Sequence, residues 1–217
     1  MIMKAKKIKL ICFDIDGTLV DGVSWLLLTE GLGCSQQKHL DIFHAAKAGK
    51  ISFIEGERQL TKMYQESGNA TKQKFIALFS KTKLRPEAKD LILYLKKKNY
   101  LIYLISGAID IYVEAIARKI DADGFYANSS LEFDKKGILE KINYRDNQGK
   151  VKLEQLKDLI TKLNINMEEA VFVGDSENDI EVFKTTKHGV AVHCFDENLT
   201  KVAWKVVNSL DDIKNLL

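Results

Sequence analysis

The sequence predicts an α/β protein: a doubly wound parallel sheet with a small helical domain inserted after its first strand. Short apolar runs alternate with amphipathic helical patterns, which is typical of parallel βαβ units. The stretch between the first two runs contains helical patterns only. A chain of 217 residues with 46% apolar and 29% charged residues is long enough to bury one core beside a smaller satellite domain.

Four short apolar runs predict buried strands, because each stops at a polar residue or a glycine. They lie at 8–13, 101–105, 170–173 and 189–192. A looser alternation over 130–143, centred on Lys136 and Gly137, predicts a β-hairpin.

Helical spacing of apolar residues predicts the elements between these strands. Four such helices lie at 86–99, 109–120, 153–163 and 179–184. The inserted stretch predicts four more, at 25–32, 36–48, 53–67 and 71–80. We therefore expect a core formed by residues 1–21 and 85–217 and a helical domain formed by residues 22–84.

Composition argues against several classes of partner. A net charge of +3 is too small to indicate nucleic-acid binding, and the lysine-rich pieces at 4–9 and 96–98 are short. Apolar runs fall short of the roughly 18 residues that span a bilayer. Three cysteines without CxxC spacing indicate neither a disulfide framework nor a zinc site, so we expect a reducing, cytoplasmic location. The oligomeric state is left open, with a homodimer as one option.

Polar residues follow three of the predicted strands. Asp14 and Asp16 follow the first, Ser106 and Gly107 the second, and an acidic stretch at 174–179 the third. Ligands of open α/β sheets bind beyond the carboxyl ends of the strands, so we expect these groups to meet. Asp14 and Asp16 stand two apart, which turns both side chains the same way on an extended strand. The alternative is a local turn and a helix cap.

Asp175 and Asp179 favour a shared ligand site over the alternative of a local turn and a helix cap. Residues four apart share one face of a helix, and capping would explain one acid there but not the whole set. Gathered carboxylates need compensation, and a set of oxygen ligands suits a hard cation such as Mg²⁺.

Two further features suggest a bound anion. Ser106 and Gly107 stand where a strand is predicted to become a helix, so they could bind phosphate or merely cap that helix. Lys152 precedes the predicted 153–163 helix, where a cation is unfavourable unless an anion lies against it. Lys150 is the competing lysine.

Together these pieces resemble the haloacid dehalogenase superfamily of phosphotransferases, and most of all its phosphoserine phosphatase branch. The resemblance rests on four motifs in family order: Asp14-Ile-Asp-Gly-Thr-Leu-Val20, Leu104-Ile-Ser-Gly107, Lys152, and Gly174-Asp-Ser-Glu-Asn-Asp179. The step of 23 residues from Lys152 to Asp175 also fits. The resemblance implies a Rossmann-like core with strand order 5-4-1-2-3 and a helical cap inserted after strand 1.

The resemblance also implies an activity, a Mg²⁺-dependent hydrolysis of a small phosphomonoester through an aspartyl-phosphate. Asp14 would be the nucleophile, and Asp16 the general acid and base. Mg²⁺ would be held by the Asp14 side chain, the Asp16 carbonyl and Asp175, with Asp179 orienting these ligands. The transferred phosphoryl group would be held by Ser106, Gly107, Lys152 and Asn178.

At two positions the sequence departs from the phosphoserine branch. That branch pairs the substrate ammonium with a glutamate and the carboxylate with an arginine of the cap, and here Val23 and Leu60 stand at those places. We therefore expect a less zwitterionic substrate. The alternative is a true phosphoserine phosphatase in which Glu57 or Arg58 restores recognition. An aspartate-phosphorylated signalling or binding module is a third candidate, which would need neither the helical insertion nor Asp16.

Overall fold

The computed structural model describes residues 7–194 and 196–217, so residues 4–6 of the lysine-rich piece at 4–9 lie outside the described residues. The described chain contains one seven-stranded sheet of order β4-β3-β2-β1-β5-β6-β7. The strands are β1 Leu10–Phe13, β2 Leu101–Ile109, β3 Gly124–Phe133, β4 Leu139–Tyr144, β5 Ala170–Gly174, β6 Gly189–Val192 and β7 Lys205–Val207. All neighbouring pairs are parallel except β3 with β4.

The helices of the described chain follow the predicted alternation. They are α1 Ser24–Gly31, α2 Gln36–Lys47, α3 Phe53–Glu66, α4 Lys72–Ser80, α5 Ala88–Lys97, α6 Asp110–Ile120, α7 Gln148–Leu163, α8 Ile180–Thr186 and α9 Glu197–Val202. Within these residues, no helix is both long enough and apolar enough to cross a membrane.

The sheet is covered by helices on both faces, as the alternation in β1 demonstrates. Ile11 and Phe13 belong to one buried apolar cluster, whereas Leu10 and Cys12 belong to another. Successive side chains of a strand point to opposite faces, so the two clusters lie on the two sides of the sheet. The predicted doubly wound α/β class is confirmed.

The predicted strand order is also confirmed. The five parallel strands β6-β5-β1-β2-β3 reproduce the order 5-4-1-2-3. Antiparallel β4 and the short parallel β7 extend the sheet at its two edges. The hairpin predicted near Gly137 exists, with Gly137 at a positive φ of 80°, but its first strand begins at Gly124 and pairs with β2.

Two predicted boundaries near the site are wrong. β2 continues through Ser106 and Gly107 to Ile109 with a register shift, so these residues lie in an irregular strand end rather than at a helix start. α7 begins at Gln148, where the Asn147 side chain accepts a hydrogen bond from the Lys150 amide. Lys152 therefore lies in the second turn of α7 and not at its opening.

Helices α1 to α4 follow β1 directly and pack beside the β3–β4 hairpin. Three hydrogen bonds join α3 to β4: the Tyr144 amide donates to Glu57, the Ile142 amide donates to Thr61, and the Gln65 side chain donates to the Leu139 carbonyl. On another side, an exposed ion pair of 2.6 Å joins Lys47 Nζ of α2 to Glu177 Oε1 of the loop after β5. The three hydrogen bonds and the ion pair together attach the inserted helices over the carboxyl end of the sheet.

Candidate active site

The carboxyl ends of β1, β2 and β5 meet at one cavity of about 520 Å³. Most of the predicted site residues line it, although they come from distant parts of the sequence. They are Asp14, Asp16, Ser106, Gly107, Lys152, Asp175 and Asn178. Asp179 lies outside the lining and is fully buried.

Three of the four predicted aspartates form a compact acidic cluster. Asp14, Asp175 and Asp179 each present one carboxylate oxygen, and these oxygens lie within 4.8 Å of one another. Asp179 Oδ1 accepts a hydrogen bond from Lys152, while its Oδ2 accepts bonds from the amides of Asp175 and Ser176. Both Asp179 oxygens are thus already bonded within the protein, which suits a residue that positions the loop after β5.

Lys152 neutralises part of the negative charge of this acidic cluster. Its side chain is only 1% exposed, and Nζ lies 2.7 Å from Asp14 Oδ2 and 2.7 Å from Asp179 Oδ1. Burial alone would lower the pKa of Lys152, but the two carboxylates outweigh it and raise that pKa, so the ammonium stays charged. Lys150 is exposed and does not line the cavity, so the geometry favours Lys152 as the lysine of the site.

Asp16 occupies a different environment from Asp14. Its Oδ2 accepts hydrogen bonds of 2.8 and 2.6 Å from the amide and the hydroxyl of Ser24 at the start of α1. Burial raises the pKa of Asp16 to about 6, against the lowering effect of the Ser24 hydrogen bonds. An acid with a pKa near neutrality can both donate and accept a proton, as a general acid and base must.

Tyr112 of α6 lies beside Asp16 and was not identified from the sequence. Within the described chain, Asp16 Oδ1 and the Tyr112 hydroxyl are buried, and neither completes a hydrogen bond of normal geometry. The hydroxyl nevertheless acts on the Asp16 carboxylate and lowers its pKa. Tyr112 belongs to no sequence motif, and the helical periodicity of α6 predicts only that its side chain is buried.

The acidic cluster fits a divalent cation. Burial, followed by the charges of Asp14 and Asp179, raises the pKa of Asp175 to about 7, so the cluster lacks positive charge even with Lys152 present. Carboxylate oxygens are the donors that hard cations prefer. A Cβ at Gly17, where φ is +78°, would lie 2.1 Å from Asp175 Oδ2, so only glycine lets the chain approach this carboxylate.

The end of β2 also lines the cavity, through Ser106, Gly107 and Ala108. Ser106 is buried, and its hydroxyl oxygen accepts a 3.3 Å hydrogen bond from the Ala108 amide. A Cβ at Gly107 would lie 2.6 Å from Gln148 Oε1, so any larger residue here would displace the Gln148 side chain. The Gln148 amide is in turn fixed by Asn128 and by the Arg145 carbonyl. Sequence reasoning missed Gln148, which carries no motif of its own.

The far part of the cavity is apolar and lies among α1, α2, α3 and β4. Val23 and Leu60, the two departures from the phosphoserine pattern, both line it. Glu57 lines it as well, and its Oε1 accepts a 2.6 Å hydrogen bond from the Tyr144 amide. Arg58 does not line it and forms an exposed 2.8 Å ion pair with Glu55.

The structure combines a doubly wound sheet, paired acids after the first strand, and a buried lysine bonded to a third acid. This is the arrangement that the four sequence motifs predicted. The family model of haloacid dehalogenase-like hydrolases matches residues 8–185 of the chain. The chain belongs to this family, which confirms the resemblance inferred from its motifs.

Curated relatives place it near one branch of the family. The chain is 31% identical over 181 residues to the phosphoserine phosphatase of Methanocaldococcus jannaschii, covering 82% of each chain. It is 29% identical over 215 residues to that of Campylobacter jejuni, covering 97% of this chain and 98% of the relative. The expected enzyme class, a haloacid dehalogenase-type phosphatase, is confirmed.

Solved structures agree with this placement. One is described as a phospho-aspartyl intermediate analogue of phosphoserine phosphatase, with a TM-score of 0.74, 25% identity, and coverage of 98% of this chain and 100% of that chain. Another is a substrate-bound phosphoserine phosphatase complex, with a TM-score of 0.76, 25% identity, and coverage of 98% and 99%.

Proposed function

We propose that the protein is a Mg²⁺-dependent hydrolase of small phosphomonoesters that works through an aspartyl-phosphate. The observation that carries this proposal is the pairing of two unlike acids in one cavity. Asp14 forms a 2.7 Å ion pair with the Lys152 ammonium, whereas Asp16 accepts two hydrogen bonds from Ser24 and burial raises its pKa to about 6. One acid is suited to attack and the other to proton transfer.

The reaction proceeds in two steps on these residues. A carboxylate oxygen of Asp14 attacks phosphorus, the bond to the ester oxygen breaks, and Asp16 gives that oxygen its proton. Water then attacks the phosphorus of the aspartyl-phosphate, Asp16 takes a proton from the water, and Asp14 is released with inorganic phosphate. Four groups hold the phosphoryl oxygens during both steps: Ser106, Gly107, Lys152 and Asn178.

Mg²⁺ would be held by the Asp14 carboxylate, the Asp16 carbonyl and Asp175, with Asp179 positioning the loop that carries Asp175. When bound, the ion supplies positive charge that stabilises the phosphoryl oxygens. The same acids explain why the cation is needed, because three carboxylates face a single ammonium in the described cluster. A phosphate dianion would add further negative charge.

Residues 22–84 would act as a cap over a core of residues 1–21 and 85–217. Support comes from the cavity itself, since α1, α2 and α3 supply its far walls while the strand ends supply its acids. A cap in this place would exclude water during the first step and select the leaving alcohol.

Phosphoserine is a second candidate substrate, and the curated relatives favour it. Against it stand Val23 and Leu60, apolar residues in the cavity at the two places where the branch has charged partners. Glu57 could meet an ammonium group, but Arg58 is outside the cavity lining and already pairs with Glu55.

A panel of phosphomonoesters assayed with Mg²⁺ and with chelator tests the proposal, with Asp14→Asn as the decisive variant. We expect Mg²⁺-dependent release of phosphate by the wild type and none by Asp14→Asn. Asp21→Asn is the matched control, because Asp21 is an exposed acid nearby whose side chain is 91% accessible. Retained turnover in Asp14→Asn would remove Asp14 from its assigned role.

Trapping the intermediate separates the enzyme from a signalling module. Acid quenching during turnover should recover label from a ³²P-monoester on Asp14, and the label should be lost rapidly on dilution into unlabelled substrate. A phosphoryl group that stays on the protein long after substrate is exhausted would favour the signalling module. The homodimer stays a prediction, which light scattering would test.

A further inference from the structure

The apolar part of the cavity carries an inference that deepens, and rests on, the proposed hydrolase function. We propose that the leaving alcohol of the substrate is an apolar group of several carbons that carries no carboxylate, as in a medium-chain alkyl phosphate. The acids and the phosphoryl-binding groups form only part of the lining of the cavity of about 520 Å³. The rest of that space is available to the alcohol.

A continuous aromatic wall lines this space. Phe53 of α3 stacks on Tyr144 of β4 with ring centroids 5.7 Å apart and an angle of 19° between the planes. Trp25 of α1 meets the same tyrosine edge-on, with centroids 6.5 Å apart. All three residues line the cavity, and Leu26, Leu60 and Ile142 add aliphatic surface. Such a wall gains free energy by covering apolar surface of a ligand and offers little to a hydrated one.

Charges around the cavity disfavour a substrate carboxylate. Among the described lining residues, Lys152 is the one lysine or arginine, and it is already bonded to Asp14 and Asp179. His39 supplies no charge, because burial lowers its pKa to about 4. A carboxylate in the alcohol would therefore lose its hydration without gaining a cation.

A carboxylate on the substrate alcohol would also be repelled by Glu57. Glu57 lines the same part of the cavity, and its Oε1 is held by the Tyr144 amide. A second anion brought into this space would face the Glu57 carboxylate at reduced dielectric, where like charges repel strongly. Glu57 is thus assigned as a specificity-determining residue that disfavours acidic alcohols.

An alkyl series tests the inference, because ethyl, butyl and hexyl phosphates share one leaving-group chemistry and differ in apolar length only. We expect kcat/KM of the Mg²⁺-loaded enzyme to rise at least tenfold from ethyl to hexyl phosphate, and phosphoserine to fall below ethyl phosphate. Phe53→Ala should flatten the dependence on chain length. Ile54→Ala, on the same helix but 77% exposed, should preserve it.

A charge variant tests the second half of the inference. Glu57→Gln keeps an oxygen acceptor for the Tyr144 amide while removing the charge. We expect it to raise kcat/KM for phosphoserine at least threefold and to leave hexyl phosphate within twofold. Glu55 is an acid of the same helix that lies outside the cavity lining. Glu55→Gln should therefore leave kcat/KM unchanged for both phosphoserine and hexyl phosphate.

A binding measurement covers the case in which Phe53→Ala unfolds. Hexylphosphonate, which cannot be hydrolysed, should protect the wild type against thermal unfolding at concentrations where ethylphosphonate does not. Equal turnover along the alkyl series together with equal protection by both phosphonates would overturn the inference while leaving the hydrolase intact. Absence of turnover for every ester, phosphoserine included, would instead overturn the proposed function.

Discussion

Removing the charge of Asp175 should stabilise the metal-free protein. Burial and the neighbouring carboxylates raise the pKa of Asp175 from 3.8 to about 7, so folding is penalised whenever this group must ionise. A difference of about 3 pKa units corresponds to about 4 kcal/mol at about 1.4 kcal/mol per unit. Because Asp175 retains some contact with solvent, we expect about 2–3 kcal/mol from Asp175→Asn.

The sign of the effect depends on pH. In the folded state Asp175 keeps its proton up to about pH 7, whereas in the unfolded state it ionises near pH 3.8. Wild-type stability is therefore lost as pH rises between these two values, and the loss is complete above the folded pKa. The advantage of Asp175→Asn should be absent near pH 4, grow through pH 4–7 and be constant above that range.

Chemical and thermal unfolding in chelator at pH 4.5 and pH 8 measures this difference. At pH 8 the melting temperature of Asp175→Asn should exceed that of the wild type by about 5–10 °C, given about 2–4 °C per kcal/mol at this chain length. Mg²⁺ should stabilise the wild type and not the variant, since the variant lacks one anionic ligand. Glu177→Gln, at an exposed acid of the same loop, is the control; it removes only the exposed pair with Lys47 and should lower stability by about 1 kcal/mol or less. An unchanged or lowered melting temperature for Asp175→Asn at pH 8 would refute the reasoning.

Three further substitutions test the site from other directions. Lys152→Met leaves two buried carboxylates without their ammonium and should cost about 3–5 kcal/mol in urea unfolding of the metal-free protein at pH 8, with partial recovery at pH 5. Gly17→Ala places a Cβ 2.1 Å from Asp175 Oδ2 and should weaken Mg²⁺ binding at least tenfold by calorimetry; unaltered affinity would contradict the close approach. Tyr112→Phe removes a hydroxyl that lowers the pKa of Asp16, so the descending limb of the kcat/KM profile should move to higher pH. A descending limb that stays in place or moves to lower pH would show that the Tyr112 hydroxyl does not lower the pKa of Asp16.

Sequence patterns predicted most of the fold because the central strands are buried on both faces. β1, β5 and β6 are wholly buried, so each reads as an uninterrupted apolar run bounded by turn residues. The first residues of β3 are half-buried or exposed and are followed by the polar residues Asn128 and Ser129, so this part of the strand lacks an uninterrupted apolar run. β7 is three residues long and mostly exposed, which leaves little pattern to detect.

The acids of the site were predictable, and their supporting contacts were not. Position relative to strand ends was enough to bring Asp14 and Asp175 together, since parallel strands place their carboxyl ends at one edge. The register shift after Ser106 and the early start of α7 depend on tertiary packing, in particular on Gln148 lying against Gly107. Tyr112 reaches Asp16 through α6, and periodicity reports only that such a residue is buried.

The unequal attachment of α2 and α3 predicts how the cavity would open. α3 is joined to β4 by hydrogen bonds to strand backbone, which are costly to break when water cannot replace them. α2 is joined to the loop after β5 by the exposed pair of Lys47 and Glu177, and such a pair contributes about 1 kcal/mol or less. Opening should therefore proceed as a hinge about the α3–β4 seam, with the free edge lifting beside Glu177, and added salt should favour the open form by screening that pair.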